Sequence, residues 1–119
     1  MEIKDTVKSL AALAQETRLK IFRLLVEVGP EGLTVGKIGQ VLSIPPATLS
    51  FHLKELTHAN LVETRNEARF IYCAANFTTM NGLVAYLTEN CCGNKTTCMP
   101  VCKPVMRKSS GKKSLRRKS

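Results

Sequence analysis

Two pairs of helix breakers, Gly29-Pro30 and Pro45-Pro46, interrupt an N-terminal stretch whose apolar residues otherwise recur at helical spacing. Such a stretch can fold only as several short helices joined by turns, not as one long rod. Residues 5–14 place Val7, Leu10, Ala11, Leu13 and Ala14 on one face and predict a first helix that breaks at Gln15-Glu16. Residues 17–28 are apolar on more than one side, through Leu19, Ile21, Phe22, Leu24, Leu25 and Val28, so this second helix is the expected core. Thr34 is a natural N-cap for a third helix carrying Val35, Ile38, Val41 and Leu42 and ending near Ser43. Pro45 and Pro46 can open a fourth, because a missing N–H costs nothing in a first turn. It runs through Leu49, Leu53 and Leu56 to about Ala59.

Two short helices around a brief turn make the helix-turn-helix plan, in which the second helix lies in the major groove. Burying Leu49, Leu53 and Leu56 leaves Thr48, Ser50, Phe51, His52 and Lys54 on other faces of the fourth helix. Downstream, Asn60 suits a left-handed C-cap. Residues 61–65 and 69–74 then read as two strands around a tip at Asn66-Glu67, with Phe70 and Tyr72 on one face and Ile71 and Cys73 on the other. A last helix starts near Phe77, capped by Thr78 or Thr79, and carries Met80, Leu83, Val84, Tyr86 and Leu87 to about Asn90. The expected fold is mainly α with a β-hairpin wing, an α+β winged helix-turn-helix of four helices, a hairpin and a fifth helix. Thr48, Ser50, Phe51 and His52 are the candidate base contacts, and Lys37, Lys54, Arg65 and Arg69 the candidate phosphate contacts.

Net charge refines this picture. The chain carries +9 over 119 residues, but residues 103–119 hold eight of the 18 basic residues and no acid. The first 102 residues are therefore close to neutral, and recognition must rest on local side-chain placement rather than bulk charge. The basic tail has almost nothing to bury, so it is expected to be disordered and to add only salt-sensitive attraction to phosphates. This divides the chain into a DNA-binding and dimerisation domain (1–90), a cysteine-rich segment (91–102) and the tail (103–119). No run of apolar residues approaches the roughly 18 that a membrane span needs, and Met1 to Lys8 is charged where a signal peptide turns apolar. A cytoplasmic protein with no membrane partner is expected.

The first and last helices are surplus to a winged-helix core, and a protomer this small cannot cover both of their apolar stripes. A homodimer is the natural solution, with Val7, Leu10, Leu83 and Leu87 at the seam. A dimer also sets two recognition helices about 34 Å apart, one DNA turn. Of the five cysteines, Cys73 lies in a strand and reads as a packing residue, while Cys91, Cys92, Cys98 and Cys102 fall within twelve residues. An odd count with no secretion signal favours reduced thiols over a disulfide scaffold. An enzyme such as a thiol reductase would need a cofactor loop or a base beside these thiols, and neither is visible. A DNA-compacting protein would depend on the tail alone.

Three segments carry a family resemblance: Leu13-Ala14-Gln15-Glu16-Thr17-Arg18-Leu19-Lys20-Ile21-Phe22-Arg23-Leu24-Leu25, then Thr48-Leu49-Ser50-Phe51-His52-Leu53-Lys54-Glu55-Leu56, then Leu61-Val62. Together they resemble the ArsR/SmtB family of metal- and metalloid-sensing winged-helix repressors, over about residues 7–90. Gln15-Glu16 and Pro45-Pro46-Ala47 depart from the usual family residues, so no operator sequence carries over. The resemblance implies a homodimer that binds double-stranded operator DNA, represses transcription and leaves the DNA when its inducer binds. The third helix, at Thr34-Val35-Gly36-Lys37-Ile38, lacks the Cys-x-Cys of one common arsenic site, and the last helix lacks the His-rich zinc site. The remaining cluster resembles the C-terminal arsenic sites of one branch, with Cys91, Cys92 and Cys98 as ligands and Cys102 as a substitute or a fourth. Arsenite or antimonite is then the inducer, and no cofactor is needed for folding. Trivalent arsenic takes three thiolates in a pyramid, and thiolate-only sites favour soft ions. The same cysteines also admit zinc or cadmium, although vicinal residues are awkward in a tetrahedron, or thiol oxidation aided by Lys95 and Lys103.

Overall fold

The computed structural model describes residues 1–94. A body, Met1–Tyr86, is distinct from a second unit beginning at Leu87. In chain order the elements are α1 (Ile3–Leu13), α2 (Glu16–Val28), β1 (Leu33–Thr34), α3 (Val35–Leu42), α4 (Pro46–His58), β2 (Val62–Glu67), β3 (Phe70–Ala75), α5 (Phe77–Thr88) and a short 3-10 turn, Cys91–Asn94. The architecture is the winged helix-turn-helix: helices around a small antiparallel sheet. No helix among the described residues is long and apolar enough to cross a membrane.

Side-chain caps set several boundaries. Gln15 is extended and accepts the Arg18 N–H on its side-chain oxygen at 2.8 Å, so the expected break between the first two helices is a cap that starts α2. Thr34 accepts the Lys37 N–H at 3.2 Å and starts α3 where its sequence position predicts. α3 ends at Ser43 in the left-handed region, and the Ile44 N–H returns to the Gly39 carbonyl at 3.0 Å. That bond forms the turn of the helix-turn-helix. α5 is capped by Asn76, whose Oδ1 accepts the Thr79 N–H at 3.2 Å, and not by Thr78 or Thr79. Asn is the stronger cap because its short carbonyl reaches back over one turn.

The core joins α2 (Ile21, Phe22, Leu25), α3 (Ile38), α4 (Leu49, Leu53, Leu56) and the sheet side (Leu61, Val62, Cys73, Ala75). The strand order is β1-β3-β2, all antiparallel. Sequence periodicity does not reveal β1, because two residues are too short to display a period of two. Glu67 pairs with Phe70, so the hairpin turns at Ala68-Arg69, two residues beyond the expected Asn66-Glu67. Burial of Val62, Cys73 and Ala75 fixes this register, since a one-residue slip would turn them to solvent. Asn66, the better turn former, consequently sits in β2 opposite Ile71, and Ala68 takes the positive φ of 55°.

Gly32 is held at φ +74° just before β1, where a Cβ would collide with the Cys73 backbone carbonyl. The collision is with backbone in the central strand, so no side-chain rotation relieves it. Gly32→Ala is expected to destabilise the fold by about 2 kcal/mol or more, read as a lowered urea midpoint. An unchanged midpoint would mean that β1 detaches from β3 at little cost.

Candidate nucleic-acid interface

α4 buries Leu49, His52, Leu53 and Leu56, at i, i+3, i+4 and i+7. The opposite side presents Ala47, Thr48, Ser50, Phe51 and Lys54, all exposed, with Phe51 at 56%. Three of the four expected base-contact residues thus share the outward face. His52 does not: it is 7% exposed and turned toward α2. Its position is legible as part of the i, i+3, i+4, i+7 stripe, but a polar ring in that stripe reads as surface when leucines alone define the core.

The reason His52 is tolerated inside is Arg18. Its Nη1 lies 3.3 Å from His52 Nδ1, its Nε donates to the Ala12 carbonyl at 2.7 Å, and its backbone N–H is held by Gln15. Arg18 thereby links the end of α1, the start of α2 and the middle of α4. A guanidinium has no acceptor, so Nδ1 must accept, and the imidazole is neutral with its proton on Nε2. Burial, and then the adjacent guanidinium, lower the His52 pKa below its ordinary value near 6.5, against an upward pull from Glu55. A lowered folded pKa favours the native state where the ring is neutral in both states. That contribution is full above about pH 6.5 and is lost as pH falls through the lowered folded value. His52→Gln should therefore flatten the fall in melting temperature between about pH 7 and pH 5. An undiminished fall in the variant would assign acid sensitivity to other groups.

The cations expected at phosphates have different surroundings. Lys37 and Lys54 are exposed on α3 and α4. Arg65 is engaged within the wing: Nε meets Glu67 Oε2 at 2.7 Å, Nη2 donates to the Glu31 carbonyl at 3.0 Å, and the guanidinium lies 4.9 Å over the Tyr72 ring, its cross-strand neighbour. These contacts hold the wing against the loop after α2, a role the sequence does not signal because Glu31 is remote in the chain. Arg69 stands in the turn itself and is exposed.

At the expected seam, α1 has an inverted polarity. Thr6 and Ser9 are buried at 3% and 1%, while Ile3, Val7 and Leu10 face outward at 63%, 58% and 41%. Leu83 is buried within the single chain, unlike the other seam candidates, because it is on the inner side of α5. Leu87, in the second unit, is 59% exposed.

Among the cysteines, Cys73 is buried, and burial pushes its thiol pKa up, as suits a packing residue. Cys91 and Cys92 follow α5 closely, with sulfurs 3.8 Å apart. Cys92 and Gly93 both take positive φ, so the chain reverses at this pair. Cys92 is disulfide-bonded whereas Cys91 carries a thiol, so the expectation of reduced thiols, drawn from the odd count and the absence of a secretion signal, does not hold at Cys92. No group of three metal-ligating side chains occurs among the described residues. Cys98, Cys102 and the tail 103–119 lie outside the described residues.

A family profile described as a helix-turn-helix domain matches residues 13–65. The nodulation protein NolR of Rhizobium meliloti is 32% identical over 101 residues, covering 85% of this chain and 79% of NolR. The structure of HlyU from Vibrio cholerae superposes with a TM-score of 0.61 at 31% identity, covering 77% of this chain and 99% of HlyU. The chain belongs to this winged-helix family of DNA-binding regulators. It is also 39% identical over 68 residues to an ArsR protein of Halobacterium salinarum named for the arsenical resistance operon, covering 57% of this chain and 52% of that protein. Two of the curated relatives are thus matched over only 60% and 52% of their own lengths. Membership makes this chain a DNA-binding transcriptional regulator of the ArsR/helix-turn-helix superfamily and not an enzyme. For a winged-helix regulator, the outward face of α4 is the surface that enters the major groove.

Proposed function

We propose that the chain is a homodimeric repressor that releases its operator when trivalent arsenic or antimony binds the thiolates of Cys91, Cys92 and Cys98, with Cys102 available as a fourth. The observation that carries this reading is the vicinal pair, two sulfurs 3.8 Å apart at a chain reversal soon after α5. With the Cys92 disulfide reduced, the two neighbouring sulfurs lower the entropic cost of collecting a third around a pyramidal ion, and the soft donor set suits arsenic over magnesium or calcium. The arsenical resistance operon for which the Halobacterium relative is named agrees with this ligand class. Dimerisation is supported by the outward apolar stripe of α1 and by a solved protein of the same fold described as a homodimeric winged helix-turn-helix domain.

The test is operator binding by the reduced protein, titrated in parallel with arsenite, antimonite, zinc and peroxide. Release by arsenite or antimonite at concentrations where zinc and peroxide are inert is the expected result. A second reading, thiol oxidation, has its own observation in the disulfide at Cys92. Release by peroxide alone would establish it in place of the metalloid.

A further inference from the structure

The outward face of α4 is unusual in what it lacks. The helix Pro46–His58 contains no Arg, Asn or Gln, which with Lys are the side chains that read guanine and adenine through paired hydrogen bonds in the major groove. Lys54 is the one long donor on that face. What α4 does present is a stripe of Ala47, Thr48 and Phe51, at i, i+1 and i+4, all exposed. Alanine, the threonine methyl and phenylalanine are the side chains that make apolar contact with the C5-methyl of thymine. Phe51 is the largest of them and is held in place: its ring meets the buried His52 ring edge-on, with centroids 5.3 Å apart at 62°. His52 is in turn fixed by Arg18. A large apolar ring, mostly in solvent and supported from behind, stands where a recognition helix meets base edges.

We propose that this regulator reads its half-site chiefly through thymine methyl groups, with Phe51 as the specificity-determining residue and Ala47 and Thr48 extending the same apolar contact. Thr48 and Ser50 hydroxyls can accept or donate one bond to any neighbouring base, so they add affinity with little choice between bases. The half-site is accordingly rich in A·T pairs, with at least one thymine whose methyl is covered by the Phe51 ring. This rests on the reading of α4 as the helix that enters the major groove.

Deoxyuridine differs from thymidine only by that methyl, so it isolates the contact without altering pairing. The full chain is first used to enrich duplexes from a random pool. Each thymine of the enriched half-site is then replaced in turn by deoxyuridine, and Kd is measured by fluorescence anisotropy. For the unaltered protein, one position per half-site should weaken binding about fourfold on replacement, the ratio corresponding to one buried methyl. Phe51→Ala should bind the thymine duplex as weakly as the deoxyuridine one and be indifferent to the exchange, while Phe51→Leu should retain part of the preference. Equal binding of every deoxyuridine duplex by the unaltered protein would overturn the proposal, as would a methyl preference that persists undiminished in Phe51→Ala. Failure to enrich any sequence would instead overturn sequence reading by α4 altogether.

Discussion

Val7→Glu combined with Leu10→Glu is expected to convert the protein to a monomer and to weaken operator binding by about 100-fold or more, the loss that follows when two linked half-site contacts become independent. Both side chains face outward, at 58% and 41% exposure, while α1 turns Thr6 and Ser9 toward its own body. A helix that stood alone in water would present the opposite arrangement. Covering Val7 and Leu10 in a partner is worth about 1.5–3 kcal/mol per side chain, twice over in a symmetric pair, and a carboxylate there would have to be buried unpaired. Within one protomer the same substitutions disturb little, because neither residue contributes to the core. Far-ultraviolet circular dichroism should therefore be unchanged while sedimentation shows a halved mass. Persistence of the dimer in the double variant would move the seam elsewhere.

The second large effect concerns the thiols. Cys91→Ser and Cys92→Ser should each leave operator affinity intact and abolish release by arsenite, because either change breaks the vicinal pair on which the three-thiolate pyramid is assembled, a loss that Cys102, distant in sequence, does not repair. On the proposed function, release by the unaltered protein would reflect coupling between inducer and operator, typically about 1–3 kcal/mol or 5- to 150-fold in operator affinity, and reciprocal between the two ligands. Cys73→Ala serves as the control: its thiol is buried, and burial raises its pKa, so the inducer response should persist at some cost in stability. Loss of DNA binding in Cys91→Ser or Cys92→Ser would assign these residues a structural task. Retention of full arsenite release in both would remove them from the ligand set.

Where the sequence is legible, one local force dominates. Thr34 and the apolar residues of α3 define a helix whose bounds match expectation, because cap, periodicity and stop all act within a few residues. The displaced hairpin tip shows the opposite case. Asn66 has the local preference for a turn, but Val62, Cys73 and Ala75 need the core face, and burial outweighs turn propensity. β1 exists only through its partners Cys73 and Tyr72 in β3, a contact some forty residues away that no local pattern encodes.

The DNA face is legible for the same reason as α3: Leu49, Leu53 and Leu56 orient the helix and so determine what remains outside. Two of the candidate contacts are not. His52 is assigned to the DNA face by the sequence alone, whereas the fold buries it against Arg18; Arg65 stays exposed and is also engaged by Glu31, Glu67 and Tyr72. The Arg18–His52 and Arg65–Glu31 contacts each join residues 34 positions apart. Ala47 carries no functional group to draw attention in a sequence, and its proposed role emerges only from the exposed stripe it shares with Phe51.

Arg18 makes three hydrogen-bonded contacts to three separate segments, at Ala12, Gln15 and His52. In evolutionary terms it couples otherwise independent stretches of sequence, because a change at Arg18 loosens both the end of α1 and the seat of the His52 ring. A lineage that replaces Arg18 must at the same time find a new reason to keep a ring at position 52 and a new stop for α1. Ala47 and Thr48 take no part in these contacts, and Phe51 meets them only through the edge of the His52 ring. On the proposed reading, positions 47 and 48 can therefore change the DNA that the helix prefers while the bracket stays constant, whereas a change at Phe51 reaches the bracket through His52.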